Sequence, residues 1–188
     1  MIIPHGSIVT LEARDLARAR GVAIREVAQD QVPVRGTPET TVALGADHGG
    51  FAMKEALKPL LEELGLVVKD LGVHEAKPAD YPDVAGSVAE AVVRGEAARG
   101  IVVDGAGIGS AMAANKVPGV RAALCYDKAS AKNSREHNHA NVLTLGGRLL
   151  TQTQAEDVVR VWLATPYGGG RHQARIDKIT ALERRYAK

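Results

Sequence analysis

Residues 41–72 read TVALGADHGGFAMKEALKPLLEELGLVVKDLG, a stretch that contains a complete strand–helix–strand pattern. Its first six residues, TVALGA, are small or branched and largely apolar, as in a strand that is buried on both faces. In FAMKEALKPLLEELG the apolar side chains recur at intervals of three and four, which predicts a helix with one buried face. LVVKD then predicts a second strand. Strands joined by a helix of this length pair in parallel, so the stretch predicts a β–α–β unit.

The same alternation continues to the end of the chain. Three further strands are predicted in GIVVD, VRAALCY and NVLTLGG, with helices between and after them. Five strands that alternate with helices predict an α/β fold, here a Rossmann-like three-layer α/β/α arrangement around a five-stranded parallel sheet. We expect this domain to occupy residues 41–188.

Residues 1–40 follow a different pattern, which predicts a short N-terminal helical extension. Thr10 is placed to cap a helix that Gly21 ends, and VPVRGTPET, with two prolines and a glycine, is typical of a linker. A helix needs about 12–15 residues to be even marginally stable alone in water. We therefore expect this one to dock on the main domain or on a partner.

Composition excludes several classes of protein. Apolar residues make up 45% of the chain and aromatic residues 3%, so the core must consist of Val, Leu, Ile and Ala. The 24 basic and 22 acidic side chains are interspersed, which disfavours a nucleic-acid partner. The single cysteine, Cys125, excludes an internal disulfide and is compatible with the cytoplasm. No apolar run is long enough to cross a membrane.

Chemically active residues follow several of the predicted elements. Asp47 and His48 come directly after the first strand, residues 104–110 after the third, and Gly146, Gly147 and Arg148 after the fifth; His137 and Asn138 follow a helix. In open parallel sheets, ligands bind at the carboxyl ends of the strands. We expect all of these residues to gather at that one edge.

The loop GAGIGS, residues 105–110, has glycine at every second position before a helix. Such a turn can direct backbone N–H groups at a phosphate or at the oxyanion of an enediolate; the alternative is a tight strand–helix connection. It is neither a GxGxxG nor a Walker motif. Asp104, immediately before the loop, is placed to remove a proton from carbon, provided that burial raises its pKa from about 3.9. The alternative is a helix cap or a partner for a lysine.

Two histidines and two arginines complete the candidate residues. His48 and His137 are possible acid/base or phosphate groups, although a lone histidine is commonly a surface or structural residue. Arg171 and Arg175, four apart on one helical face, could grip a phosphate, or could belong to a solvated basic face. No spacing of His, Asp or Glu repeats in the manner of metal ligands, so a metal site is not expected.

Five segments together resemble the ribose-5-phosphate isomerase B / galactose-6-phosphate isomerase family: GADHGGFAMKEALKPLLEELG, the Asp-Tyr-Pro at 80–82, DGAGIGSAMAANKVPGVRAALCYD, SREHNHANVLTLGGR and YGGGRHQARIDKI. They occur in the order that the family has and span roughly residues 41–186. The resemblance implies a phosphorylated sugar as substrate, and a homodimer or homotetramer with active sites shared between subunits. It implies neither a metal nor an organic cofactor.

The resemblance also implies roles for single residues. Asp47 and His137 resemble the pair that assists opening of the sugar ring, and Tyr81 and Asn138 resemble residues that line the sugar. The resemblance further implies phosphate-binding residues at His48, Arg148, Arg171 and Arg175, and an anion hole at Gly105, Gly107 and Gly109. We also expect Ser110, in the same loop, to bind the substrate.

This chain departs from the family at the position of the catalytic base. Many members carry cysteine at the position of Asp104 and Thr or Ser at that of Ala106, and others carry glutamate at that of Ser110. Aspartate occurs in one type of galactose-6-phosphate isomerase subunit. We expect Asp104 to act as the base that interconverts ribose 5-phosphate and ribulose 5-phosphate through a cis-enediolate.

Three alternatives stay open. The substrate could be galactose 6-phosphate or a tetrose phosphate, the chain could be a catalytically weakened binding or scaffold subunit, or, more remotely, it could be a nucleotide-binding module. Residues 8–24, IVTLEARDLARARGVAI, resemble the short helical appendages of enzymes packaged in bacterial microcompartments. This resemblance implies a shell or cargo contact through residues 1–40; an extension that stabilises the oligomer is the alternative.

Overall fold

The computed structural model describes residues 2–4, 9–27 and 38–186. The strands are β1 Ile2–Pro4, β2 Arg25–Val27, β3 Thr41–Ala46, β4 Val67–Asp70, β5 Arg99–Asp104, β6 Ala122–Leu124 and β7 Val142–Gly146. The helices are α1 Leu11–Ala19, α2 Phe51–Glu63, α3 Tyr81–Val93, α4 Ile108–Ala114, α5 Lys128–Glu136, α6 Gln152–Ala164 and α7 Gln173–Tyr186, with short 3₁₀ turns at Pro38–Thr40 and Gly170–His172. None of the helices within these described ranges is long and apolar enough to cross a membrane.

Five of the strands form one parallel sheet in the order β4-β3-β5-β7-β6. Side chains alternate along each strand between two separate cores. On one face, Leu44 and Ile101 pack with apolar residues of α2 and α6; on the other, Ala43 and Val102 pack with α3 and α4. The prediction of a three-layer α/β fold with a five-stranded parallel sheet is confirmed.

Two glycines in the central strands let α3 approach the sheet. A Cβ atom added to Gly45 would lie 2.6 Å from Val84 Cγ1, and one added to Gly100 would lie 2.7 Å from Val88 Cγ1. Both distances are far shorter than a van der Waals contact. The small residues in β3 and β5 are therefore needed for this helix to pack.

The N-terminal extension is more than the predicted helix. α1 forms as expected, with the Thr10 side chain accepting a hydrogen bond from Ala13 N and with Gly21 at a φ of +65° beyond its end. In addition, β1 and β2 pair in parallel on either side of α1 along the chain, which makes a small β–α–β unit. Strands of three residues are too short to show a period-two pattern in the sequence. Residues 32–37 of the predicted linker lie outside the described residues.

Candidate active site

Three loops interlock at the carboxyl edge of the sheet. They follow β3, β5 and β7, and the last two are joined by hydrogen bonds from Gly147 N to Asp104 O (2.7 Å) and from Arg148 N to Gly105 O (3.1 Å). The loop after β3 packs as closely, because a Cβ atom on Gly50 would lie 2.0 Å from Val103 O. The backbone at this edge is therefore fixed by contacts that leave no room for side chains.

The loop after β5 folds around the carboxylate of Asp104. Asp104 Oδ1 accepts hydrogen bonds from Ala106 N (2.7 Å) and from Gly107 N, and Oδ2 accepts one from Ser110 N at 2.9 Å. Gly107 makes this turn possible with a φ of +80°. We call the N–H groups of Ala106, Gly107 and Ser110 the amide nest. The sequence predicted such a nest, and its occupant is the protein's own carboxylate.

These contacts reverse two expectations from the sequence. Asp104 is 4% exposed, and burial alone raises its pKa; the hydroxyl and N–H of Ser110 and the N–H groups of Gly107 and Ala106 outweigh that effect and hold its pKa below the ordinary value. The requirement that burial raise this pKa is therefore not met. The nest N–H groups are also not free for a ligand, because the side chain that precedes them is short enough to fold back.

The hydroxyl of Ser110 lies deep beside this carboxylate. Ser110 is fully buried, and its Oγ makes no hydrogen bond of normal geometry. It is nevertheless close enough to the Asp104 carboxylate to help lower the pKa of that group. A buried hydroxyl without a full hydrogen bond is uncommon in folded proteins and calls for an explanation at a binding site.

The other side chains of this edge surround the nest. Asp47 is buried and accepts a hydrogen bond from Gly50 N at 2.9 Å, whereas His48 is exposed. The Tyr81 ring covers Gly109 so closely that a Cβ atom there would lie 2.5 Å from Tyr81 Cε2. On the side of the loop that follows β6, half-exposed Tyr126 donates a hydrogen bond to Ala106 O at 3.0 Å.

The sequence predicted one of two further residues at this edge, Arg148, but not the other, Tyr126. Arg148 was predicted, and its side chain is exposed beside Gly105, where an added Cβ atom would lie 3.7 Å from Arg148 Cδ. Tyr126 was missed, although its position as the last residue of a predicted strand was the available signal. Asp47, His48, Tyr81, residues 104–110 and Arg148 together form what we call the nest half-site.

His137 and Asn138 do not join the nest half-site. Both follow α5, which returns from the carboxyl edge to the amino edge, and the carbonyl of Asn138 accepts a hydrogen bond from Arg121, the residue that precedes β6. In the sheet, Val142 and Gly146 of β7 pair with Gly100 and Asp104 of β5.

The two edges are therefore well separated within one chain. Four residues of strand separate the amino end of β7 from Asp104, or about 13 Å at about 3.3 Å per residue. The expectation that His137 and Asn138 lie at the same edge as Asp104 is wrong. A helix that follows a strand in a parallel sheet must run back to the strand's starting edge before the next strand can begin.

A basic group forms around His137. Its ring stacks on His172, with centroids 4.2 Å apart and an interplanar angle of 11°. Partial burial lowers the pKa of His172, and so does its closeness to His137, Arg171 and Arg175. We call His137, Asn138, Arg171, His172 and Arg175 the basic half-site.

The chain segment before α7 is tied to the end of α5. Gly168 N donates to Glu136 O at 2.9 Å, which places the GGGR segment beside the His137 ring. His172 was not predicted as a site residue, although the sequence places it between the two arginines. Across residues 2–4, 9–27 and 38–186, no group of three or more His, Cys, Asp or Glu side chains is arranged to hold a metal ion.

The chain is similar to known isomerases over most of its length. It matches the family model for Ribose/Galactose Isomerase over residues 42–179. It is 44% identical to the ribose-5-phosphate isomerase B of Escherichia coli (strain K12) over 144 residues, which are 77% of this chain and 97% of that protein.

A second relative and a solved structure extend this similarity. The D-erythrulose-4-phosphate isomerase of Pectobacterium atrosepticum is 36% identical over 144 residues, 76% of this chain and 95% of that protein. The structure of Clostridium thermocellum ribose-5-phosphate isomerase B matches with a TM-score of 0.77 at 46% identity, and the match covers 78% of this chain and 99% of that one.

Proposed function

We propose, from the premise that the chain belongs to the ribose/galactose isomerase family and is a sugar-phosphate isomerase, that it interconverts ribose 5-phosphate and ribulose 5-phosphate with Asp104 as the base. The observation that carries the proposal is a carboxylate at the end of β5 in contact with three backbone N–H donors. These are the two groups that proton transfer next to a carbonyl requires: a base for the C–H proton and donors for the oxyanion.

The proposed reaction starts from the open-chain aldose. The Asp104 carboxylate takes the proton from C2, the C1–C2 double bond forms, and the C1 carbonyl oxygen becomes the oxyanion of a cis-enediolate. Asp104 then returns the proton to C1 while the hydroxyl proton on O2 passes to O1, which leaves the ketose. The N–H groups of the amide nest stabilise the enediolate charge in this scheme.

The basic half-site is suited to the phosphate and to ring opening. Arg171 and Arg175 are exposed, lie four residues apart and adjoin the stacked pair of His137 and His172. Guanidinium groups bind phosphate oxygens with paired hydrogen bonds. We assign the arginines to the phosphate, and His137, with Asp47 of the nest half-site, to the opening of the furanose.

The separation of the two half-sites favours an active site shared between two copies of the chain. Within one chain, the nest half-site lies at the carboxyl edge of the sheet and the basic half-site beyond the amino edge. A substrate of five carbons cannot bridge the two. A homodimer, or a homotetramer built from it, in which each copy supplies its basic half-site to the other's nest half-site would complete the site.

Pentose phosphate is the preferred substrate in this proposal, and a tetrose phosphate is the rival. The relatives named for ribose 5-phosphate reach 44% and 46% identity, against 36% for the relative named for erythrulose 4-phosphate. Galactose 6-phosphate stays a further possibility within the family name. Comparing kcat/KM of the purified protein on the three aldose–ketose pairs decides between them.

A weakened binding or scaffold subunit is the one other function that an observation favours. The lowered pKa of Asp104 makes the resting carboxylate a weak base. Isomerase assays of the wild type and of Asp104→Asn separate the two functions. Turnover that is lost in the variant while it still binds sugar phosphate supports catalysis, and absence of turnover in both supports the scaffold.

We also propose that residues 1–40 form a unit separate from the isomerase domain at residues 41–188. The family match begins at residue 42, and the described part of the N-terminal segment has its own strand pair and helix. One contact between α1 and the domain is a surface ion pair between Arg20 and Glu63 at 2.6 Å. Such an exposed pair contributes little to stability, typically about 0–1 kcal/mol.

A further inference from the structure

Two groups need the N–H donors of the amide nest as hydrogen-bond partners. Ala106 N, Gly107 N and Ser110 N all donate to the carboxylate of Asp104. The isomerisation proposed above needs the same donors for the oxygen of an enediolate, and needs Asp104 at C2 of the sugar at the same time. A carboxylate with both oxygens bound to the nest cannot serve in both ways.

We propose that Asp104 is the resting ligand of its own oxyanion nest, and that the sugar displaces it: the carboxylate turns out towards C2 as a substrate oxygen takes over the N–H groups. The inference rests on the proposed function and gives the site a second state. It exchanges one anionic oxygen ligand for another. The buried N–H donors are therefore satisfied before and after the exchange, and the nest need not stand empty.

The carboxylate is free to leave because nothing else holds it. Within the described residues, the hydrogen bonds of normal geometry to its carboxylate all come from the nest, and the Ser110 hydroxyl beside it makes none. Its own carbonyl is fixed by Gly147 N at 2.7 Å, so the backbone stays in place while the side chain rotates. Rotation about the side-chain bonds of an aspartate is enough to move the carboxylate between the two positions.

Ser110 supplies an independent sign that the nest is built for another occupant. Its hydroxyl is fully buried and lacks a hydrogen bond of normal geometry while Asp104 occupies the nest. The hydroxyl is close enough to help lower the pKa of Asp104, but its hydrogen-bonding capacity is not fully satisfied in the resting arrangement. A sugar carries adjacent oxygens on C1 and C2, and a second ligand oxygen at the nest would give Ser110 Oγ the partner that it lacks.

The test uses a hydroxamate of the four-carbon sugar-acid phosphate as a probe, because its adjacent oxygens and negative charge imitate the cis-enediolate. In the wild type the probe must compete with Asp104, so its apparent affinity is reduced by the fraction of molecules in which the nest is free. In Asp104→Ala the competitor is absent. We expect this variant to lose isomerase activity and to bind the probe about tenfold more tightly than the wild type, or better.

A matched variant separates occupancy from simple charge repulsion. Asp127→Asn removes one negative charge from the same edge of the sheet without emptying the nest, since Asp127 Oδ1 bonds to Ser130 N at the start of α5 and not to the loop after β5. We expect its affinity for the probe to stay within about twofold of the wild type, allowing for screening of nearby charges. Equal gains in probe affinity in the two variants, or no gain in Asp104→Ala, would overturn the proposal that the sugar displaces Asp104 from the nest.

Formate provides a second readout that needs no sugar. It is a free carboxylate small enough to enter the space that Asp104→Ala leaves. We expect formate to raise the melting temperature of Asp104→Ala in a saturable way and to leave that of the wild type unchanged. If formate has the same effect on both proteins, the nest is not the site that Asp104 fills. A wild type without isomerase activity would refute the proposed function. Probe affinity and the effect of formate test whether Asp104 occupies the nest, and neither measurement depends on activity.

Discussion

The side chain of Asp104 is ionised at neutral pH because its hydrogen bonds outweigh its burial. Desolvation raises its pKa, but the hydroxyl of Ser110 and the N–H groups of Ser110, Gly107 and Ala106 bring it below the ordinary value of 3.8. For a carboxyl group whose folded pKa is depressed, the stabilisation is complete above the unfolded pKa and is lost as pH falls through the folded pKa. Asp104 therefore stabilises the loop at every pH at which the enzyme is expected to work.

Ser110→Ala tests this balance at the level of activity. Removing the hydroxyl removes one cause of the lowering, so the pKa of Asp104 rises towards its ordinary value. We expect the acid limb of kcat/KM to move to higher pH. Ser87→Ala is the control, because the Ser87 hydroxyl donates to Asp83 O on the surface of α3. An acid limb at the same pH in Ser110→Ala and the wild type would contradict the assignment.

Gly107 sets the shape of the nest. It has a φ of +80°, and a Cβ atom there would lie 2.5 Å from Leu124 Cδ1 and 2.8 Å from the Leu145 carbonyl carbon. Alanine in the left-handed region costs about 1–2 kcal/mol before any steric clash is counted. We expect Gly107→Ala to lower the free energy of unfolding by at least that amount and to abolish isomerase activity, as measured by urea denaturation and by assay.

Gly86→Ala is the matched control for Gly107→Ala. Gly86 lies inside α3, with no atom within 4 Å of an added Cβ. Alanine is the better helix former there, by up to about 1 kcal/mol. The variant should be as stable as the wild type or more so, and fully active. Similar losses of stability and activity in both variants would mean that the effect of Gly107→Ala does not come from the shape of the nest.

At the scale of single elements, α2 and β4 are joined by a buried ion pair. Lys54 of α2 is fully buried, and its Nζ contacts Asp70 Oδ2 of β4 at 2.8 Å and Val73 O at 2.7 Å. Burial raises the pKa of Asp70, but hydrogen bonds from Lys54, Lys58 and Gly72 N lower it to about 2. The pair fixes the helix against the edge strand of the sheet.

Asp70→Asn should be strongly destabilising. It removes the more buried of the two carboxylates that contact the Lys54 ammonium and leaves Glu55 Oε1, at 3.0 Å and on a side chain that is 40% exposed. Removing one partner of a buried ion pair typically costs about 3–5 kcal/mol. The difference in the free energy of unfolding between the wild type and Asp70→Asn should be complete above the ordinary pKa of 3.8 and disappear as pH falls through about 2. Urea denaturation from pH 7 to pH 2 measures this.

Glu75→Gln is the control for Asp70→Asn. Glu75 pairs with Lys77 at 2.7 Å, but both side chains are mostly exposed. Losing such a pair should change the free energy of unfolding by less than about 1 kcal/mol. An equally small effect of Asp70→Asn would show that Lys54 finds another partner.

The sequence predicted the main elements well because their patterns are long. TVALGA is long enough to be identified as a buried strand, and FAMKEALKPLLEELG is long enough to show the spacing of apolar residues in a helix. The structure has β3 and α2 at these positions. The strands β1 and β2 were missed because three residues hold no detectable alternation. The side on which a residue lies was harder to predict: His137 was placed at the carboxyl edge from its position in sequence, although the direction of α5 carries it to the other end.

The contents of the nest could not be predicted from the sequence. GAGIGS indicated a turn of N–H groups, and that turn is present. Whether those donors face a ligand or the preceding side chain depends on a rotation of Asp104 that leaves no pattern in the residues. The same holds for the orphaned hydroxyl of Ser110, which becomes visible only when packing is known.

At the scale of the whole molecule, the distance between the half-sites leads to a test by mixing. In a shared site, Asp104→Asn inactivates the nest half-site of its own chain, and Arg175→Ala weakens the basic half-site of its own chain. A heterodimer of the two variants contains one intact site formed from the unaltered halves. We expect the mixture, after dissociation and reassembly, to regain about a quarter of wild-type activity, since half of the dimers are mixed and each has one of two sites intact.

Two controls accompany this mixing experiment. Each variant alone, taken through the same dissociation and reassembly, should stay at its own low activity. Mixing Asp104→Asn with Gly107→Ala places both changes in the same half-site, and no intact site can arise. Activity that fails to rise in the first mixture would place the two half-sites in separate active sites and contradict the shared arrangement.

The central claim is that Asp104 moves a proton between C2 and C1, and hydrogen exchange measures that step most directly. In heavy water, we expect the wild type to introduce deuterium from solvent at C1 of ribulose 5-phosphate and C2 of ribose 5-phosphate, detected by NMR. Asp104→Asn should slow both this exchange and isomerisation by about 100-fold or more. An Asp104→Asn enzyme that exchanges and isomerises at the wild-type rate would contradict the account.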